Sequence, residues 1–211
     1  MNSDTLTAMD HTELEKGLAG LRAEVGPGFG LRVLGRVGIV DEYASAETVL
    51  GTVYVAFNKR GVSRLTTATS ADEFEEIAVV ELGRPLRRVD LPVPIGRALE
   101  TGDGSSLEYD LRGLPDYWRT VLGITKSIPR GEVRSYGWVA SEAGRPRAVR
   151  AAGSAVANNP VPLLIPCHRV VRQDGHIGNY GLGGAVNKRL LLTSEGVDVD
   201  QLSPSRPARA G

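Results

Sequence analysis

The apolar residues change their spacing once along the 211-residue chain, close to Pro115. Ahead of that point the apolar runs are short and rich in β-branched residues. Gly51 to Phe57 and Val62 to Thr67 are two such runs, and Asn58-Lys59-Arg60-Gly61 between them reads as a turn, which predicts a hairpin. Val37 to Val40 is another short run. Helical spacing appears over Glu13–Val25, through Leu14, Leu18, Leu21 and Val25, and Gly26-Pro27-Gly28 stops it. Ser70 with Glu73 predicts a capping box opening a helix through Phe74, Ile77, Ala78 and Leu82. Pro92 to Gly96 is expected to precede a short helical run, and Thr101 to Ser106 to form a loop before Leu107–Leu111.

After Pro115 the pattern is mostly helical. Tyr117, Trp118, Val121, Leu122 and Ile124 fit one helix face, Ile128 to Glu132 reads as a turn, and Ser135-Tyr136 leads into a helix from Trp138 to Ala143. Gly144-Arg145-Pro146 breaks it, and Arg147 to Val156 follows at once; two short helices around a glycine-containing turn predict a helix-turn-helix. The fold class is therefore α+β. An N-terminal α/β unit over 1–110 precedes a mostly helical unit over 111–198, with a Pro/Arg/Ala-rich tail, 199–211, expected to be disordered.

The formal net charge is zero, but the two units are not neutral. Residues 1–110 carry 11 Lys+Arg against 18 Asp+Glu, and residues 111–211 carry 14 against 7, so the balance is −7 and +7. Arg130, Arg134, Arg145, Arg147, Arg150, Arg169 and Arg172 lie in one stretch that holds only Glu132 and Glu142 as acids. Such a stretch attracts phosphate, and it reads equally well as a solvated face offsetting the acidic half. The second helix offers Ala148, Ala151, Ala152, Gly153 and Ala155 where a base-reading helix would carry polar side chains. It either approaches a groove closely with little base specificity or packs tightly on a neighbour.

Cys167 is the one cysteine, so no internal disulfide can form, and His11, His168 and His176 show no metal-ligand spacing with it. No metal and no disulfide framework are expected. Met1 to Asp10 lacks a basic then apolar leader and no segment is long enough for a bilayer, so cytoplasmic residence without membrane contact is the expectation. A lone thiol beside an imidazole and a basic helix suggests a nucleophile delivered to nucleic acid. On their own, a single cysteine is more often a small buried hydrophobe and a single histidine a satisfied core residue.

Arg147-Ala148-Val149-Arg150-Ala151-Ala152-Gly153, Asn159-Pro160-Val161-Pro162, Ile165-Pro166-Cys167-His168-Arg169-Val170-Val171 and Gly178-Asn179-Tyr180 strongly resemble the O6-alkylguanine-DNA alkyltransferases, the methylated-DNA–protein-cysteine methyltransferases, over about Leu111 to Gly196. The resemblance implies a ribonuclease-H-like N-terminal domain and irreversible, single-turnover transfer of an alkyl group from guanine O6 in double-stranded DNA to Cys167. Thymine O4 is left open as a second substrate. A thiolate is the side chain best suited to displacement at an alkyl carbon, and the thioether has no route back, so no cofactor is expected. The replacement of this cysteine in the related lesion-binding alkyltransferase-like proteins argues against a purely binding role. A cysteine hydrolase is disfavoured because adjacent residues rarely make a hydrolytic dyad.

The same resemblance implies the residue roles. His168 would activate Cys167 through a water, with Glu195 fixing the imidazole tautomer. Arg150 would fill the space left by an extruded nucleotide, Tyr136 would help rotate the target phosphate, and Ala151 and Gly153 would approach the DNA. Asn159 would be the hinge between helix and active-site strand; Val170 backbone and the Gly181 amide would read the guanine edge; and Val156 and Tyr180 would line the alkyl pocket. Arg169 is expected to brace the turn by pairing with an acid such as Asp174. Gly181, Gly183 and Gly184 suggest a mobile pocket wall. A monomer is expected, with cooperative assembly along DNA left open.

Overall fold

In the computed structural model, which describes residues 40–202, Asp41–Thr48 (β1), Gly51–Asn58 (β2) and Gly61–Thr67 (β3) form an antiparallel meander. The helix expected over Glu13–Val25, the Gly26-Pro27-Gly28 stop, residues 37–39 and the tail from Ser203 lie outside the described residues. The hairpin between β2 and β3 turns where the sequence places it: Asn58 pairs with Gly61, and the Asn58 side-chain oxygen accepts the Arg60 N–H at 2.8 Å. β1 itself escapes a reading of apolar runs because its start is acidic. Asp41 is fully buried there, and its carboxylate accepts from Ser63 Oγ at 2.7 Å, from Asn58 Nδ2 and from Arg84. A buried carboxylate with that many donors is tolerated.

Ala71–Leu82 (α1) follows, capped by the Ser70 hydroxyl, which accepts the Glu73 N–H at 3.1 Å. The reciprocal arm of the box is shifted by one residue: Glu73 Oε2 accepts from the N–H of Thr69, at 2.6 Å, rather than from Ser70. Gly83 closes the helix in the left-handed region and Leu86–Arg88 (β4) returns parallel to β1, so the sheet order is β3-β2-β1-β4. Strand alternation divides the burial of β2. Tyr54 and Ala56 face α1 with Tyr43, Phe74 and Ala78, whereas Val53, Val55 and Phe57 face the larger core shared with the second half of the chain. Val93–Thr101 (α2) starts inside the Pro92–Gly96 segment rather than after it, with Pro94 in its first turn, where a missing N–H costs nothing.

The second half contributes Asp116–Lys126 (α3), the two-residue strand Arg134–Ser135 (β5), Tyr136–Glu142 (α4) and Val149–Ala157 (α5). α3 buries Val121, Leu122 and also Thr125, whose hydroxyl donates to the Val121 carbonyl at 2.8 Å and so enters the core satisfied. Ser135 caps α4 through the Trp138 N–H. The break after α4 is a Schellman turn: Arg145 N–H reaches the Ala140 carbonyl, Gly144 N–H reaches Ser141, and Gly144 sits at φ 73°. α5 turns Ala152, Ala155 and Val156 inward and leaves Arg150, Ala151 and Ser154 exposed. A 3-10 turn, Cys167–Arg169, leads into Val170–Val171 (β6), parallel to β5, and Gly184–Ser194 (α6) closes the order. Packed structure continues past residue 198: Val199 is buried with Ile177 and Leu192, and Asp200 pairs with Arg189 at 3.2 Å.

Hydrogen bonds fasten the halves beside the cysteine segment. Leu65 N–H on β3 donates to the Pro160 carbonyl at 2.8 Å, and Tyr109 Oη donates to the carbonyls of Gly104, at 2.8 Å, and Leu164, at 3.1 Å. A Cβ at Gly104 would lie 2.3 Å from Tyr109 Oη and 2.4 Å from the Leu164 oxygen, so this approach requires glycine. No helix among the described residues is long and apolar enough to cross a membrane.

Candidate active site

Cys167 reaches its position through a tight local turn. Pro166 has φ −78° and ψ 64°, and the Cys167 N–H donates to the Ile165 carbonyl at 2.7 Å, an inverse γ-turn that reverses the chain just before the thiol. Asn159 holds the two sides of the preceding loop: its Nδ2 donates to the Ile165 carbonyl at 2.8 Å and its oxygen accepts the Val161 N–H at 3.0 Å. The β5–β6 pairing, Arg134 with Val170 and Ser135 with Val171, brings the start of α4 alongside the residues after Cys167. A cavity of about 480 Å³ results, lined by Cys167, Tyr136, Val156, Asn159, Tyr180 and Gly181 among others.

Behind the thiol lies a buried polar cluster. His168 Nε2 is 2.9 Å from Glu195 Oε1, and Glu195 sits at the C-terminus of α6. An ionised carboxylate accepts, so the proton belongs on Nε2 and Nδ1 carries the lone pair. Nδ1 is buried and has no hydrogen-bond partner among the described residues. Burial holds His168 below the ordinary imidazole range despite the opposing pull of Glu195, so the ring is neutral at pH 7. Burial also works against the Glu195 charge, but its hydrogen bonds from His168 and Arg169 prevail and bring it to about 2. The Cys167 thiol is pushed up by burial, opposed by a hydrogen bond with Asn159 and by the charge of Lys188. At rest the pair is thus a thiol and a neutral imidazole. Tyr180 completes the surround, its ring edge-on to His168 with centroids 6.0 Å apart.

Arg169 does not pair with Asp174. It is buried, and its Nε and Nη2 grip Glu195 at 2.9 and 2.8 Å, while Nη1 and Nη2 donate to the carbonyls of Ile128 and Gly102, each at 2.7 Å. Asp174 is taken by Arg172 instead, at 3.1 Å. A bidentate carboxylate and two carbonyls from distant segments satisfy a buried guanidinium far better than one exposed acid could.

Tyr136, Val156, Asn159, Tyr180 and Gly181 are therefore brought together with Cys167, and His168 and Glu195 stand behind it, bordering a separate cavity of about 430 Å³ on their other side. Val170 is not on the cavity wall: it is fully buried, its N–H bonds the Cys167 carbonyl and its carbonyl accepts from Lys188 Nζ at 2.6 Å. Arg150, Ala151 and Gly153 lie on α5 outside the cavity, and Gly153 faces Tyr136, whose Cδ1 would be 3.9 Å from an added Cβ. Gly181 has open space around it, whereas Gly183, at φ 83°, would drive a Cβ to 2.0 Å from Asn187 Nδ2. The wall flexibility expected of Gly181, Gly183 and Gly184 is thus not uniform; Gly183 is packed.

The arginine stretch is also thinner than its sequence. Arg169 is buried, Arg134 pairs with Glu132 and lies over Trp138, and Arg130 donates to the carbonyls of Thr101 and Ser194. Arg145 lies over the Tyr117 ring, and Arg147 and Arg150 remain without a carboxylate partner among the described residues. Lys188 was missed altogether. It is 1% exposed and held down to about 8 by burial, with a Cys167 thiolate pulling the other way. Its place three and four residues before Leu191 and Leu192 sets it on the buried stripe of α6, a signal the sequence does carry.

Residues 116–197 match the family model described as the 6-O-methylguanine DNA methyltransferase DNA binding domain. The chain resembles that family over this segment, less than half of its length. Over 78 residues the chain is 51% identical to the methylated-DNA–protein-cysteine methyltransferase of Rattus norvegicus, 37% of each chain. Over 103 residues it is 44% identical to that of Methanothermobacter thermautotrophicus, 46% of this chain and 57% of the relative. The match thus spans between about a third and three fifths of the length of these curated relatives. The solved structure of Mycobacterium tuberculosis OGT in complex with DNA superposes with a TM-score of 0.56 at 28% identity, covering 76% of this chain and 98% of that one.

Proposed function

We propose that the protein repairs DNA by direct reversal, moving an alkyl group from guanine O6 to Cys167 in one irreversible turnover. The observation that carries this reading is the placement of Cys167 on a base-sized cavity with a neutral, Glu195-bound imidazole at its back. The thiol proton passes to His168 Nδ1 through a water; Sγ then forms a bond to the alkyl carbon as the carbon–O6 bond breaks, and guanine leaves with its electron pair and regains a proton at N1. Each protein molecule is consumed.

Guanine O6 faces its paired base, so the nucleotide must leave the stack. The α4–α5 pair acts as the helix-turn-helix on DNA, with Arg150 filling the vacated space and Ala151 and Gly153 allowing close approach. Tyr136 guides the nucleotide from the first turn of α4, and Asn159 is the hinge. Gly181 N–H, which makes no backbone hydrogen bond among the described residues, reads the guanine edge, and Val156 and Tyr180 flank the alkyl group. The β3-β2-β1-β4 order with β4 parallel to β1 supports a ribonuclease-H-like unit ahead of the alkyltransferase unit. DNA named with the mycobacterial relative supports duplex DNA as the partner.

Incubation with duplex DNA holding one O6-methylguanine, followed by intact mass and adduct mapping, tests the proposal. One methyl per molecule on Cys167, absent in Cys167→Ser, is the expected result. Binding without transfer would make the protein a lesion sensor instead.

A further inference from the structure

The far wall of the Cys167 cavity comes from the other half of the chain: Arg64, Leu65 and Thr66 on β3 and Glu81 on α1. β3 is an edge strand, and the Leu65–Pro160 bond of 2.8 Å fixes that edge against the loop leading to the thiol. Leu65 points into the core at 1% exposure, so alternation turns Arg64 and Thr66 to the opposite face. Glu81 engages Arg64 through Nη2 alone, at 2.9 Å to Oε1 and 2.8 Å to Oε2. A guanidinium has five N–H donors, and Nη1 of Arg64 donates to no acceptor among the described residues. The Thr66 hydroxyl makes only a 3.4 Å contact with the neighbouring Thr67 carbonyl, so it too can turn toward a ligand.

The geometry points to an anion subsite at this edge, in which Arg64, backed by Thr66, takes a negatively charged oxygen of the same substrate whose reacting carbon lies at Cys167. It rests on the alkyl-transfer reading above and extends it to substrate class. The carboxylate of a carboxyalkyl group on guanine O6 is one such oxygen; a phosphate next to the extruded nucleotide is the other. Glu81 orients the guanidinium and disfavours anions that do not reach Nη1.

The test follows Cys167 alkylation by intact mass with O6-methylguanine and O6-carboxymethylguanine, each in the same duplex and as free base, for the wild type, Arg64→Gln, Arg64→Lys and Glu81→Gln. Arg64→Gln is expected to slow carboxymethyl transfer about tenfold more than methyl transfer, the loss expected of one charge-assisted hydrogen bond. Arg64→Lys retains part of the preference, and Glu81→Gln raises the carboxymethyl-to-methyl ratio. Slowing of both lesions in duplex but of neither free base assigns the anion to a phosphate and still supports the subsite. Equal rates for wild type and Arg64→Gln on every substrate overturn it, while methyl transfer by the wild type shows that the underlying reading survives. A wild type that transfers nothing removes both.

Discussion

His168 and Glu195 lie 2.9 Å apart, Nε2 to Oε1, and the same carboxylate is gripped from its other side by Arg169. The carboxylate therefore does two things: it fixes the imidazole tautomer and it balances a buried guanidinium. Glu195→Gln keeps the shape but removes the charge. We expect alkyl transfer to slow by about 10- to 100-fold, since the proton no longer has a fixed home on Nε2. Leaving Arg169 uncompensated should cost about 3 kcal/mol in urea unfolding. Glu195→Gln with Arg169→Met should recover part of that stability and none of the rate; recovery of both would mean that Glu195 serves packing only.

The same cluster sets the response to acid. His168 is held below 6.5 in the folded protein, so below that pH the unfolded chain binds more protons and stability falls. Glu195 drops from 4.5 to about 2 on folding, so its contribution is complete above pH 4.5 and is lost as pH falls from 4.5 toward 2. Thermal unfolding should show two successive declines on acidification, the first starting below pH 6.5. Glu195→Gln should shrink the second, leaving the share of Asp110, which Arg112 and Asn58 hold well below the usual carboxylate range, and an unchanged profile in that variant would contradict the assignment.

Much of this was readable in advance where chemistry is local. The Asn58–Gly61 turn, the Gly144 break between α4 and α5, and the Cys167-His168 pair are each encoded within a few residues. What the sequence hid depends on partners far along the chain. Arg169 meets Ile128, Gly102 and Glu195, and no spacing rule links those positions. β1 was hidden for the same reason: Asp41 looks like a surface acid until Asn58, Ser63 and Arg84 surround it. Charge counting likewise overestimated the basic face, because a count cannot show which arginines are already engaged.

Lys188 offers a sharper test of how the thiol is tuned. Its ammonium bonds the Val170 carbonyl at 2.6 Å and favours a Cys167 thiolate. Lys188→Met should move the pH profile of Cys167 alkylation by iodoacetamide to higher pH, with stability changed by no more than about 2 kcal/mol, because losing a buried charge offsets the orphaned carbonyl. A profile that stays in place would confine Lys188 to a structural role.

Arg150 is exposed in the first turn of α5 without a carboxylate partner among the described residues, so its removal breaks no ion pair there. Arg150→Ala should leave unfolding within about 0.5 kcal/mol of wild type. If the side chain supports the extruded nucleotide, transfer from duplex DNA falls by on the order of 10- to 100-fold, as loss of compensation for unstacking implies. Transfer from free O6-benzylguanine, which needs no extrusion, stays unchanged; parallel losses on both substrates would place the defect in the cavity instead.

The two glycines beside the cavity should separate cleanly. Gly183→Ala must shift Asn187 and hold φ 83° with a side chain, which together should cost about 2 kcal/mol or more. Gly181→Ala meets open space and no left-handed backbone, so stability should change by less than about 0.5 kcal/mol. Its new methyl lies on the cavity wall, however, and should slow O6-benzylguanine more than O6-methylguanine. Measured together, unfolding and the benzyl-to-methyl rate ratio distinguish a packing glycine from a wall glycine, and equal ratios for wild type and Gly181→Ala would remove Gly181 from the alkyl pocket.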